Sequence, residues 1–65
     1  MEKQLQQQYL EALEALPDQA RAVYVLKELE GLSDDEIAAT LGLNRGTVSS
    51  RLHYARKQLQ SVLRD

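Results

Sequence analysis

Sixty-five residues, 43% of them apolar, leave room for one small domain with a single core and no second lobe, so a few well-placed leucines must carry its stability. There is no cysteine, which excludes a disulfide framework and a thiolate metal site and points to a reducing, cytoplasmic setting. No apolar run approaches the roughly 20 residues needed to cross a bilayer, and nothing resembles a signal peptide, so a soluble protein without a membrane partner is expected. The net charge of −2 conceals a polarised chain: residues 1–42 carry nine acidic and three basic side chains (−6), residues 43–65 one acidic and five basic (+4). One histidine, no glycine-rich phosphate loop and carboxylates placed mostly in first turns or on helix surfaces make a catalytic pocket, a cofactor or a small-molecule substrate hard to accommodate. The expectation is not an enzyme.

Pro17, Gly31 and Gly42 divide the chain into four segments of helical periodicity, predicted at about residues 3–15, 18–30, 34–41 and 45–63 of one domain spanning 1–65. In the first, Leu5, Tyr9, Leu13 and Leu16 fall on one stripe, while Gln4, Gln6, Gln7 and Gln8 read as a solvated face or remnant linker. Leu16-Pro17-Asp18 ends this helix and opens the next, because proline is tolerated only in a first turn. The second segment is apolar on most sides (Ala20, Ala22, Val23, Tyr24, Val25, Leu26, Leu29), which predicts the central, most buried helix. Tyr9 and Tyr24, on apolar stripes, are expected in the core.

Gly31 supplies a left-handed cap with Leu32 folding back, and Ser33 with Glu36 forms a capping box that starts the third helix. That helix turns Ile37, Ala38 and Leu41 inward, and the small Ala38 allows close approach of another helix. Gly42 occupies the turn, and Asn44 is suited to cap the fourth helix. A short capped helix, a glycine turn and a longer helix make the sequence form of a helix-turn-helix, whose second helix is presented to the DNA major groove.

At about 100° per residue, Val48, Leu52, Ala55, Leu59, Val62 and Leu63 line one side of the fourth helix. Gly46, Thr47, Ser50, His53, Tyr54, Lys57 and Ser61 line the other, with Ser49 and Arg56 on one edge of the seam and Arg51 and Gln58 on the other. A merely solvated face favours Glu and Lys. Small hydroxyls near the N-terminal end instead let a helix backbone sink into a groove and meet base edges and phosphates. His53 reads either as a base-contacting side chain or as an ordinary exposed histidine, and it lacks neighbours for a metal site. Gly46 either permits close approach to phosphate or eases helix packing.

The run LPDQARAVYVLKELEGLSDDEIAATLGLNRGTVSSRLHYARKQL resembles the fourth conserved region of bacterial sigma factors, especially the extracytoplasmic-function group. The resemblance lies in the order and spacing of the Leu-Pro opening, Glu30-Gly31-Leu32-Ser33, Glu36-Ile37-Ala38, Leu41-Gly42, Gly46-Thr47-Val48 and the S-R-L-H-x-A-R run at 50–56, covering about Leu10 to Leu63. It implies an all-α, four-helix domain with a winged-helix-like three-helical core but no wing, which recognises the minus-thirty-five element of promoter DNA within RNA polymerase holoenzyme. It places base-reading residues at Ser49, Ser50, His53 and Tyr54 and phosphate contacts at Arg45, Thr47, Arg51, Arg56 and Lys57. Arg51 reads equally as an intramolecular partner for an acidic residue of the third helix. Polymerase core and an inhibitory anti-sigma factor are the implied protein partners.

A working sigma factor also needs a region that binds the polymerase clamp and melts the promoter. Sixty-five residues cannot hold it, so an excised domain is expected rather than a stand-alone protein. Two alternatives stand beside the main reading: a response-regulator effector domain, which shares parts of the frame, and a module acting chiefly by docking its acidic half to polymerase or an anti-sigma factor. Related sequences usually carry a basic residue where this chain has Ser49, and often another at Tyr54. Fewer groove-facing charges weaken the non-specific attraction to phosphates, and tethering to polymerase would supply the difference as effective concentration. The isolated chain is therefore expected to bind promoter duplexes weakly. A salt titration checks this, and nanomolar, salt-insensitive binding is the contrary result.

Overall fold

The helices form between the marks that proline and glycine set: α1 (Glu2–Ala15), α2 (Asp18–Tyr24), α3 (Asp34–Leu41) and α4 (Arg45–Leu63). The computed structural model describes the backbone of residues 2–63 and the side chains of residues 6–61. The expected stripe positions Leu5, Val62 and Leu63, and the side chains of Lys3, Gln4 and Arg64, lie outside the described residues. The described residues contain no strand, so the α2–α4 core carries no wing.

The α1–α2 elbow is built from local chemistry. Pro17 stands immediately before α2 with φ −54° and ψ 149°, an extended geometry that ends one helix and aims the next. Arg21, one turn into α2, donates from Nη1 to the carbonyls of Glu14 (3.1 Å) and Leu16 (3.4 Å), which α1 leaves without helical partners. Its Nη2 donates to Asp18 at 2.9 Å.

The second helix departs from expectation in its last turn. The backbone stays helical through Tyr24 and Val25 (φ −62°, ψ −46° at both), but Val25–Leu29 widens into a π turn, closed by Glu30 N–H donating to the Val25 carbonyl at 3.0 Å. Gly31 follows at φ +78°, and Leu32 N–H returns to the Leu26 carbonyl at 3.0 Å, so the fold-back spans one residue more than a standard cap would.

Two buried clusters share α2 and α4. Val23, Ile37, Ala38, Val48 and Leu52 form the first, flanked by Leu26, Leu32, Leu41 and Leu43. Leu16, Ala20, Ala55 and Leu59 form the second, flanked by Tyr9, Ala12 and Leu13. α4 packs against α1, α2 and α3, and its described stripe residues Val48, Leu52, Ala55 and Leu59 are at most 6% exposed. The deepest-lying helix is thus α4. α2 contributes only Ala20 and Val23 to the fully buried set, and Leu29 at the end of its π turn is 59% exposed. A chain this short has no second layer to cover the outer side of α2, whatever its composition.

Tyr24 packs against both clusters, and its hydroxyl meets that of Tyr9 at 3.2 Å, tying α1 to α2. Burial pushes the Tyr24 hydroxyl up from 10.0 to about 12, helped by the Tyr9 hydrogen bond and the negative field of Tyr9 and Glu28 and opposed by Arg56. The folded state therefore favours the neutral phenol. That contribution to stability is whole below pH 10 and is lost as pH climbs towards 12. Stability measured by urea unfolding is expected to fall across that window, and Tyr24→Phe to flatten the fall; identical profiles for the two proteins are the contrary result.

Candidate nucleic-acid interface

The position of α4 is set by three local devices. Ser33 Oγ accepts from Glu36 N–H at 3.1 Å while Glu36 Oε1 accepts from Ser33 N–H at 2.8 Å, closing the capping box that starts α3. Gly42 takes φ +69° at the other end, and the N–H groups of Gly42 and Leu43 both donate to the Ala38 carbonyl, the second at 2.9 Å. Leu43, the residue after the glycine, packs on the first cluster and fixes the angle of the turn. Asn44 then accepts Thr47 N–H on its Oδ1 at 2.8 Å, and its carbonyl accepts Val48 N–H at 3.1 Å.

Gly46 serves that cap. A Cβ at this position would sit 3.3 Å from Asn44 Oδ1, closer than side chains normally approach, so the glycine leaves space for the capping amide. Helix packing, one of the two roles open from the sequence, does not explain it: no other element lies within 4 Å of that position.

With the Val48–Leu59 stripe buried, the opposite face of α4 is turned outward. Ser49, Ser50, Arg51, His53, Arg56 and Lys57 are exposed, Thr47 is half-buried, and Tyr54 is 44% exposed. Tyr54 stands between two shallow grooves. One, of about 100 Å³, runs against Ala12, Ala15, Leu16 and Gln58; the other, of about 330 Å³, against Pro17, Gln19, Ala20 and Arg51. Ser49, at an edge on the helical wheel, is open to solvent alongside Ser50.

The arginines of this face are held from behind. Arg45 Nε lies 2.9 Å from Asp35 of α3, bracketing the turn, with both side chains more than 70% exposed. Arg56 is paired with Glu28 of the π turn. Lys27 Nζ, in the same turn, lies 3.0 Å from Asp34 Oδ1, close enough for charge attraction but without an aligned hydrogen bond. Arg51 donates from Nε to Gln19 Oε1 at 2.8 Å. Its intramolecular partner is therefore an amide of α2, not an acidic residue of α3. Those acids are engaged elsewhere: Asp34 with Lys27, Asp35 with Arg45 and Glu36 in the capping box.

Sequence reasoning missed Gln19, Glu28 and Asp35 as partners of this face. The first two lie 32 and 28 residues from their arginines, and only the crossing of α2 over α4 brings them together. Among the described residues no cluster of three His, Cys, Asp or Glu is placed to hold a metal, and no helix is long and apolar enough to cross a membrane.

Residues 6–59 match the family described as Sigma-70, region 4. Over 52 residues the chain is 54% identical to the ECF RNA polymerase sigma factor SigE of Mycolicibacterium smegmatis, covering 80% of this chain and 20% of that protein. Over 61 residues it is 38% identical to the ECF RNA polymerase sigma-E factors of Escherichia coli K12 and Salmonella typhimurium LT2, covering 94% of this chain and 32% of theirs. The chain thus spans about a fifth to a third of the length of these relatives. The response-regulator alternative finds no support in these matches.

Because the Asn44 amide is the side-chain cap of α4, Asn44→Ala is expected to cost about 1 kcal/mol, lowering the melting temperature of a domain this size by roughly 4–8 °C. Thermal unfolding followed by circular dichroism checks this; an unchanged midpoint would show that the cap contributes nothing.

Proposed function

The chain belongs to the sigma-70 region 4 family, and from that premise we propose that it recognises the minus-thirty-five element of promoter DNA, as the C-terminal domain of a sigma factor that directs RNA polymerase core to initiate transcription. The observation that carries this reading is the outward face of α4: small hydroxyls at Ser49 and Ser50, then His53 and Tyr54, on a helix whose opposite stripe is locked in the core. On this reading residues 1–65 act as one unit, without catalysis or cofactor, in the cytoplasm where polymerase works.

Ser49 and Ser50 are short enough to let the backbone of α4 approach the groove floor, and their hydroxyls donate to or accept from either base type. His53 and Tyr54, one turn on, reach base edges and thymine methyl groups. Arg45, Thr47, Arg51, Arg56 and Lys57 flank this row and take phosphates, fixing the depth and register of the helix. The Arg45–Asp35 pair is exposed, so giving it up costs only about 0–1 kcal/mol. A guanidinium has donors enough to hold carboxylate and phosphate together. The acidic α1–α3 half is left to face protein, with polymerase core as the principal partner and an inhibitory anti-sigma factor as a second.

The joint substitution Ser50→Ala, His53→Ala separates the two faces. Both side chains are exposed, so folding and polymerase binding are expected to persist. Discrimination between the cognate duplex and a random one should fall by roughly 10-fold to 100-fold, about 1–3 kcal/mol for lost base contacts. Equal losses on cognate and random DNA, or a parallel loss of polymerase binding, would contradict the proposal.

A further inference from the structure

We propose that Gln19 is a positioning residue for DNA binding, an amide on α2 that orients Arg51 on the flank of α4 without neutralising it. This rests on the reading of α4 as the DNA-reading helix. Three arginines border that face, and they are held differently. Arg45 and Arg56 are paired with carboxylates, Asp35 and Glu28, so their charges are locally cancelled until phosphate displaces or shares them. Arg51 is held by a neutral oxygen, Gln19 Oε1, at 2.8 Å from its Nε.

The single bond uses only the Nε–H, so both Nη groups remain to form a two-pronged contact with a phosphate. Because the acceptor carries no charge, the whole positive charge of Arg51 stays available to the duplex. The place is suited to a strand. Gln19 and Arg51 line the larger groove beside Tyr54, where Pro17 and Ala20 supply the apolar wall and Arg51 the one charged side chain. A sugar-phosphate backbone following the edge of α4 from Tyr54 towards α2 passes over that groove, with Arg51 already turned to meet it.

The alternative role for the contact is structural, a surface bond that pins α2 to α4. The two roles differ in what a glutamate would do. Gln19→Glu strengthens the pin by turning the hydrogen bond into an ion pair, and it discharges Arg51. A structural role therefore gains from the change, whereas a positioning role for DNA loses.

The test is fluorescence anisotropy with the 65-residue chain and a labelled duplex, selected from randomised sequence, titrated across a range of salt. Gln19→Glu is expected to reduce the slope of log affinity against log salt by about 0.9, one phosphate contact, and to weaken low-salt binding roughly 5-fold to 10-fold, with an unchanged or higher melting temperature. Gln19→Ala, which removes orientation but not charge, should leave the slope intact and weaken binding about 2-fold. Arg51→Gln should lower the slope as Gln19→Glu does, and adding Gln19→Glu to it should change the slope no further. An unchanged slope in Gln19→Glu overturns the assignment, as does a further drop in the Arg51→Gln background, which would mark a general field effect. A wild-type chain that binds neither selected nor random duplex overturns the DNA-reading function itself, and this inference with it.

Discussion

The burial of one stripe of α4 is the constraint from which the rest of the molecule follows. Val48, Leu52, Ala55 and Leu59 recur at spacings of four, three and four and are withdrawn from water almost completely. Their first pair closes the core with α2 and α3, their second pair the core with α1 and α2. Apolar burial of this kind is worth about 1.5–3 kcal/mol for each large side chain, much of what holds a small domain together. Once that stripe is committed inward, the rotation of the helix is fixed, and with it the side on which Ser50, His53 and Tyr54 emerge.

Charge is organised around the same rod. The acidic side chains of α3 and the π turn do not all oppose the basic helix across empty space; two of them, Asp35 and Glu28, reach it and pair with it. Glu28 of the π turn and Asp35 of α3 thereby offset part of the positive field of α4. A basic α4 thus sits in a chain with a net charge of −2. The cations of α4 stand on both edges of its buried stripe, and two of its three described arginines are already paired with carboxylates.

What the sequence revealed depended on how local each signal was. The capping box of Ser33 and Glu36, the positive φ of Gly31 and Gly42, the Asn44 cap and the described part of the buried α4 stripe, Val48 to Leu59, all arise between residues a few positions apart, and each is found where the sequence placed it. The π turn was not legible, because nothing in Val25–Leu29 distinguishes a five-residue turn from a four-residue one. The depth of α2 was overread for a related reason. Composition counts apolar residues but not the neighbours available to cover them, and Leu29 has too few. Of the interface, the row of exposed residues on α4 was readable from periodicity. The supports behind it were not, since Gln19 and Glu28 meet their arginines only through tertiary crossing. Gly46 belongs to the same lesson at short range: its role became clear only beside the amide of Asn44.

The division of the core into two clusters carries a mechanical consequence. The second cluster contains no residue of α3 or of the turn at Gly42, and Tyr24 is the side chain that packs against both. α1 is therefore fastened to the far end of the α4 lever, through Leu16, the flanking Tyr9 and Leu13, and the paired tyrosine hydroxyls, rather than to the end that carries the serines. A load on α1 would thus fall first on that seam. The helix pair around Gly42 shares with it only the packing of Tyr24.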